Sequence, residues 1–332
     1  MISNSSEVPQ HFGFLLIPDF SLICFASAIE PLRSANRLSG RELYRWQLLS
    51  SDGQPVKSSN GMIAQPVVAI HNDYFVANVA VCGGVATGRF ADQTTTNWLR
   101  RIARQGANIG AISTGSHILA KAGLLDGYRC TVHWEELSAF RELYPNLEIS
   151  DEIFEIDRNR FTCSGGTAGM DLMLNIISSQ HGHDLAAGVA EQFMHERIRD
   201  RHDHQRMDLR SRLGVTHAKL LQVVGRMEES LEMPLSRTEL AYGVGLSTRQ
   251  LERLFRKYLH RTPTRFYLEL RLERARLLLR KTSMSVLDVA LACGFVSASH
   301  FSKCYREHFA RRPGEERRVP SETGEASGLP TQ

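Results

Sequence analysis

One pattern is written twice near the C-terminal end of this 332-residue chain, and few folds can accommodate it. Leu240, Ala241, Gly245, Leu246, Leu251, Arg253, Phe255, Arg256 and Pro263 return about fifty residues later as Val289, Ala290, Gly294, Phe295, Phe301, Lys303, Tyr305, Arg306 and Pro313. Each copy reads as a helix, a glycine-containing turn, and a second helix that is apolar on one side and basic on the other. That is the sequence form of a helix-turn-helix. Two of them in about a hundred residues predict an all-α domain that holds adjacent turns of a DNA duplex.

In the first copy Ser236 and Glu239 stand at the spacing of a capping box, Gly245 ends the short helix, and Ser247 caps the next. Leu251, Leu254, Phe255 and Tyr258 recur at helical spacing and are expected to face a core. That leaves Arg249, Gln250, Glu252, Arg253, Arg256 and Lys257 outward. Arginine suits a bidentate contact with guanine and glutamine one with adenine, while glutamate accepts from cytosine. In the second copy Ser285 and Asp288 mark the start, Gly294–Phe295 the turn and Ser297 the cap, with Phe301, Tyr305 and Phe309 inward. Ala298, Ser299, His300 and Lys303 remain for the groove and Arg306 for a phosphate, a smaller and less charged reader with weaker base discrimination. Between the copies, residues 266–281 form a long amphipathic helix whose Leu268, Leu272, Ala275 and Leu279 fix the spacing of the motifs.

Charge agrees with this reading. Residues 215–318 hold 20 Lys and Arg against 11 Asp and Glu, although the whole chain carries only +4. A solvated helical surface is the plainer reading of a basic run, but here the charge coincides with the tandem motif, as a phosphate-binding surface requires. With 42% hydrophobic and 23% charged residues, the chain reads as a soluble globular protein of two domains. No apolar run approaches the ~20 residues of a membrane span. The opening MISNSSEVPQHFGF lacks a basic region followed by a small-residue cleavage site, so no secretion signal is expected. Six cysteines sit singly, without CxxC spacing, so reduced thiols in a cytoplasmic protein are expected, with no metal or cofactor.

The N-terminal half alternates strand-like runs (12–17, 44–51, 78–84, 108–113, 160–166) with helical stretches such as 94–105, 115–125 and 169–179. Strands alternating with helices predict α/β architecture, a mostly parallel, flavodoxin-like sheet covered on both faces. The expected organisation is an α/β effector-sensing domain over 11–199, a charged linker over 200–214, the DNA-binding domain over 215–318 and a disordered tail over 319–332.

One strand, NIGAIS, runs straight into GSHILAKAGLL, so Ser113 sits at a strand-to-helix turn with Thr114, Gly115 and Ser116 at the helix start. Backbone N–H groups there make an anion site. Gly83 and Gly84, ending another strand, allow a second backbone to approach the same place. His133 follows in CTVHWEE. Residues 111–115 are one residue short of the G-x-S-x-G elbow, so a Ser113–His133 hydrolase is one reading. In the other, Ser113 only ends a strand and His133 packs at a pocket wall.

Two resemblances bear on these alternatives. Arg271-Leu272-Glu273-Arg274-Ala275-Arg276-Leu277-Leu278, followed by Val286-Leu287-Asp288-Val289-Ala290 through Pro313, closely resembles the AraC/XylS family of bacterial transcription regulators. The likeness spans about 213–318, with Ala310 where the family often has glycine. The N-terminal half resembles the PfpI-like, glutamine-amidotransferase-like superfamily, in the arrangement of the GlxA-like regulators. Enzymes of that superfamily carry cysteine at the elbow and a carboxylate on the first helix. Here Ser113 and Cys24 take those places, while His133 matches, so the resemblance implies no catalysis.

LLIPDFSL, AIEPLRSANRL, VCGGV, TVHWE and FEIDRNRFTCSGGTAGMDLML are similar to regulators of carnitine, glycine betaine or related quaternary-ammonium catabolism. That likeness implies an activator that binds double-stranded DNA and a small effector, works with RNA polymerase and forms a homodimer. On this reading Ser113, Thr114, Gly83 and Gly84 hold the effector's carboxylate beside His133. Trp134, with Glu135 or Phe20, faces its cation. Arginine-responsive regulators share the architecture, which keeps an amino-acid effector open. A catalytic hydrolase or amidase fused to a DNA-binding module, and a domain that only dimerises, are the competing readings.

Overall fold

The computed structural model describes residues 9–66, 68–71, 74–84 and 92–318; the expected tail at 319–332 lies outside them. The chain divides into two compact units, Met1–Gln205 and Arg206–Gln332.

The first unit runs β1 (Gln10–Leu16), α1 (Leu22–Ser39), β2 (Tyr44–Ser50), β3 (Val56–Lys57), β4 (Ile63–Ala64), β5 (Val68–Ala69), β6 (Asn78–Cys82), α2 (Gln93–Arg104) and β7 (Asn108–Ile112). It continues with α3 (Ser116–Lys121), β8 (Arg129–Cys130), α4 (Leu137–Leu143), β9 (Glu148–Ile149), β10 (Phe154–Asp157), β11 (Arg160–Cys163), α5 (Ala168–His181) and α6 (His183–Gln192). Seven strands form one sheet in the order β10-β11-β7-β6-β1-β2-β5. Only the edge strand β10 is antiparallel. The central order β2-β1-β6-β7-β11 is that of a flavodoxin-like sheet, whose strand order reverses between β1 and β6.

Every residue of β6 and β7 is buried, as a parallel sheet covered on both faces requires. Alternate residues go to opposite faces. Phe12, Phe14, Leu16, Ala80 and Cys82 pack under α1, α5 and α6, while Leu15, Val79, Val81, Ile109 and Ala111 pack under α2, α3 and α4.

Beyond α6 the chain stays tied to this unit. Asp171, fully buried on α5, accepts hydrogen bonds from His195 Nε2 (2.8 Å), the Arg199 backbone N–H (2.8 Å) and Arg199 Nε (2.9 Å). Arg197 forms a two-pronged pair with Asp203, and Gln205 Nε2 donates to Thr131 Oγ1, Val132 O and Glu152 O. The stretch expected to be a linker, 200–214, is therefore structured on the side of the first unit up to Gln205. Its charged residues find partners, which composition alone does not reveal.

The elements of the second unit, among its described residues, are all helical: α7 (Leu209–Leu213), α8 (Ala218–Glu229), α9 (Arg237–Tyr242), α10 (Thr248–Leu259), α11 (Pro263–Lys281), α12 (Val286–Ala292), α13 (Ala298–Phe309) and a closing 3₁₀ turn, Pro313–Arg318. The expected capping box at the start of α9 is present, and the start signal at Ser285 and Asp288 forms a second one on α12. α8, α9, α10 and the first turns of α11 close one core through Leu220, Val224, Met227, Leu240, Leu251 and Phe255. The later turns of α11 bury Leu272, Ala275 and Leu279, beside α12 and α13 with their buried Val289, Phe301 and Tyr305. Leu254, Tyr258, Leu268 and Phe309, expected inside, are only half-buried.

Three contacts stiffen this unit. Arg271 donates to the carbonyls of Cys293 and Gly294 at 2.7 Å each and lies 4.1 Å over the Phe295 ring, clamping the second turn to α11. Gly294 has φ +71°, and a Cβ there would sit 2.5 Å from Pro234 Cγ and 2.8 Å from Glu232 O, so the turn is wedged against the approach to α9. Glu316, 1% exposed, takes Arg276 Nε at 3.1 Å and Arg280 Nε at 2.7 Å, fastening the closing turn to α11.

Candidate effector cleft and nucleic-acid interface

In an open α/β sheet a ligand crevice forms beyond the carboxyl ends of the strands where their order reverses. In the first unit these ends belong to β1, β6 and β7. β6 passes into Gly83–Gly84 and β7 into Ser113, whose φ of +60° places a non-glycine residue in the left-handed region. That conformation costs about 1–2 kcal/mol and persists only where the surroundings impose it. They do so here. The Gly83 N–H donates to Ile112 O (3.2 Å), Thr114 Oγ1 donates to Gly84 O (2.6 Å), and Ser113 and Thr114 are buried. A Cβ on Gly83 would lie 2.4 Å from Gly115 N, and one on Gly84 1.7 Å from Asp19 O. The strand ends meet so closely that only hydrogen fits, and four of the expected residues, Gly83, Gly84, Ser113 and Thr114, come together.

Cys24 of α1 joins them. A Cβ built on Gly165 would stand 2.9 Å from Ser113 Oγ and 3.1 Å from Cys24 Sγ, and the Gly166 N–H donates to that sulfur at 2.9 Å. The elbow serine thus has a thiol beside it on the side of the first helix. All six cysteines are free and buried; burial pushes the Cys163 thiol up to about 12 and raises that of Cys82. Neither is a nucleophile at neutral pH.

The loop carrying His133 is tethered to the helix after the elbow. Ser116 Oγ donates to Thr131 O (2.8 Å), and the Thr131 N–H donates to Thr162 Oγ1 on β11 (2.9 Å). His133 and Trp134 are half-buried with ring centroids 5.6 Å apart. Glu135 is exposed, its carboxylate 3.9 Å from His133 Nδ1. The carboxylate the fold buries is its neighbour: Glu136 is 6% exposed and lies 3.4 Å from His117 Nε2. Neither member of this pair stands out in the sequence, where Glu135 and Glu136 adjoin just ahead of α4. Phe20 is corrected outright. It is fully buried, its ring edge-on to Phe25 at 5.8 Å, so it is a core residue rather than a cation-facing one. Among the described residues no cluster of His, Cys, Asp or Glu is placed to hold a metal ion, and no helix is long and apolar enough to cross a membrane.

In the second unit Arg249, Gln250, Arg253 and Arg256 are exposed on α10. Three of the expected readers are already engaged locally. Gln250 Oε1 accepts the Ser247 N–H at 2.8 Å while the Gln250 N–H bonds Ser247 Oγ, a capping box that a bidentate adenine contact would have to open. Glu252 pairs with Arg256 at 3.3 Å. On α13 Ser299, His300, Lys303 and Arg306 are exposed, and His300 Nε2 lies 3.4 Å from Cys304 Sγ.

Comparison with known proteins agrees with both halves. A helix-turn-helix domain family matches residues 240–318 and the DJ-1/PfpI family residues 22–179. The HTH-type transcriptional regulator GbdR of Pseudomonas aeruginosa is 54% identical over 309 residues, 93% of this chain and 84% of that protein. The crystal structure of an AraC family transcriptional regulator from Pseudomonas putida is 28% identical, with a TM-score of 0.51, over 56% of this chain and 100% of its own. An isonitrile hydratase of Pseudomonas putida is 31% identical across 178 residues, 52% of this chain and 73% of the enzyme. With a tandem helix-turn-helix unit behind a DJ-1/PfpI-type α/β unit, and likeness to a regulator along nearly its whole length, the chain belongs to the AraC-family DNA-binding transcriptional regulators.

Proposed function

We propose that the first unit is a non-catalytic receptor for a small zwitterion, of the carnitine or glycine betaine class, whose binding shifts the regulator toward its DNA-competent state. The observation that carries this reading is the meeting of Gly83–Gly84 with Ser113–Thr114, which brings two strand ends and the start of α3 together at the carboxyl edge of the sheet, where a small ligand's carboxylate can sit. The loop of His133 and Trp134, tethered through Ser116, supplies an aromatic face suited to a quaternary ammonium group. Catalysis is not part of the proposal, because the elbow holds a hydroxyl and its neighbour from α1 is a thiol that accepts a backbone hydrogen bond, not a carboxylate. Activation through RNA polymerase, as a homodimer in the cytoplasm, completes the reading.

A thermal-shift series with glycine betaine, carnitine, sarcosine and arginine tests it. A specific ligand at a hundred times its Kd stabilises by about 2.7 kcal/mol. Stabilisation by betaine or carnitine, with no turnover of ester, amide or isonitrile substrates, is expected. Indifference to every quaternary amine would end the effector assignment, and turnover abolished by Ser113→Ala would replace it with the enzymatic reading.

A further inference from the structure

Beside α13 the surface sinks into a groove of about 660 Å³, walled by Ser299, Ser302, Lys303 and Arg306 from the helix and by Arg312 from the turn that follows. Lys303 and Arg306 are three residues apart and share a helix face. Among the described residues neither they nor Arg312 has an acidic partner within 4.0 Å, whereas Arg256 is paired with Glu252 and both Arg276 and Arg280 with Glu316. Glu315 also lines the groove, but its Oε2 is turned back to accept the Arg312 N–H at 2.9 Å. The turn that presents Arg312 is fixed at both ends. Ala310 holds a left-handed φ of +56°, Pro313 is buried, and Glu316 is clasped by two arginines of α11.

Three unneutralised cations and two hydroxyls around one depression fit a tetrahedral oxyanion better than the edge of a base. We infer that this groove seats a phosphate of the duplex backbone, with Arg312 as a DNA contact and Lys303 serving that phosphate instead of a base. The inference rests on the second unit's binding DNA and adds where the backbone is held beside the second reader.

The test uses the full-length protein and two fluorescein-labelled duplexes of unrelated sequence, with anisotropy titrations at several NaCl concentrations. Arg312→Ala and Lys303→Ala should each weaken binding to both duplexes equally and reduce the slope of log K against log [NaCl] by about 0.9. Arg312→Lys should keep the parental slope. Arg104→Ala, which removes an exposed cation from α2 of the first unit, serves as the control and should not change it. A parental slope in Arg312→Ala, or a Lys303→Ala protein that loses discrimination between the duplexes and keeps its slope, would overturn the assignment. Parent protein that binds neither duplex would overturn the DNA reading itself, and the groove with it.

Discussion

Single residues in this chain carry costs that identify their work. Ser113 keeps a left-handed backbone without being glycine, at the spot where two strand ends touch. Ala310 does the same at the end of α13, with φ +56°, on an exposed stretch of surface. Ala310→Gly should therefore stabilise the second unit by about 0.5–1 kcal/mol, relief of the αL strain exceeding glycine's entropic cost. Urea denaturation checks the sign, and a destabilised variant would refute it. Trp134 is the opposite case under the proposed function, which rests its role on the ring. Trp134→Ala should lose about 0.5–2 kcal/mol of affinity for a quaternary ammonium effector, measured by calorimetry, with little change for a neutral isostere. Equal losses for both would mean the ring only packs. At this scale the sequence was legible where spacing sets the chemistry, as at Ser236 and Glu239. It was illegible where two like residues adjoin, as at Glu135 and Glu136, because only the three-dimensional path decides which one is buried.

Elements are fixed here by a few polar or steric locks more than by propensity. The two turn glycines show the difference. Gly245 and Gly294 both have positive φ, but an added Cβ at Gly245 meets only Lys219 Nζ at 3.7 Å, while at Gly294 it strikes Pro234 and Glu232. Gly245→Ala should cost about 1–2 kcal/mol and Gly294→Ala about 2–4, read as a difference in denaturation midpoint. Equal costs would show that the wedge yields.

The Glu316 clasp makes a pH prediction. Burial alone would raise its carboxyl pKa, but hydrogen bonds from Arg276 and Arg280 outweigh that and hold it below the ordinary 4.5. Its contribution is therefore complete above that value and is lost as pH falls through the lowered one. Glu316→Gln should cost about 1–3 kcal/mol at pH 7, a deficit that shrinks in acid, by thermal unfolding across pH; a pH-independent deficit would refute it. The strands β1, β2, β6, β7 and β11 could be read from their apolar runs. α1 could not, since Pro31 lies inside it, and neither could β10, whose FEID alternates too briefly to stand out.

For the whole molecule, two sites imply reciprocity: if an effector tightens DNA binding by some factor, DNA must tighten effector binding equally. The fixed spacing of the two readers along α11 makes a geometric demand as well. Inserting five base pairs between the half-sites of a selected operator turns one groove about half a turn away and should abolish tight binding. Retained affinity in an electrophoretic shift would mean that one motif suffices. The buried Asp171 bears on anyone who wishes to divide the protein for separate study. Secondary structure invites a fragment ending at Gln192, where α6 stops, yet that cut would remove His195 and Arg199 and leave a carboxylate stranded in the interior. Such a fragment would misfold or precipitate, whereas one carried through to Gln205 takes its counter-charges with it and should stay in solution.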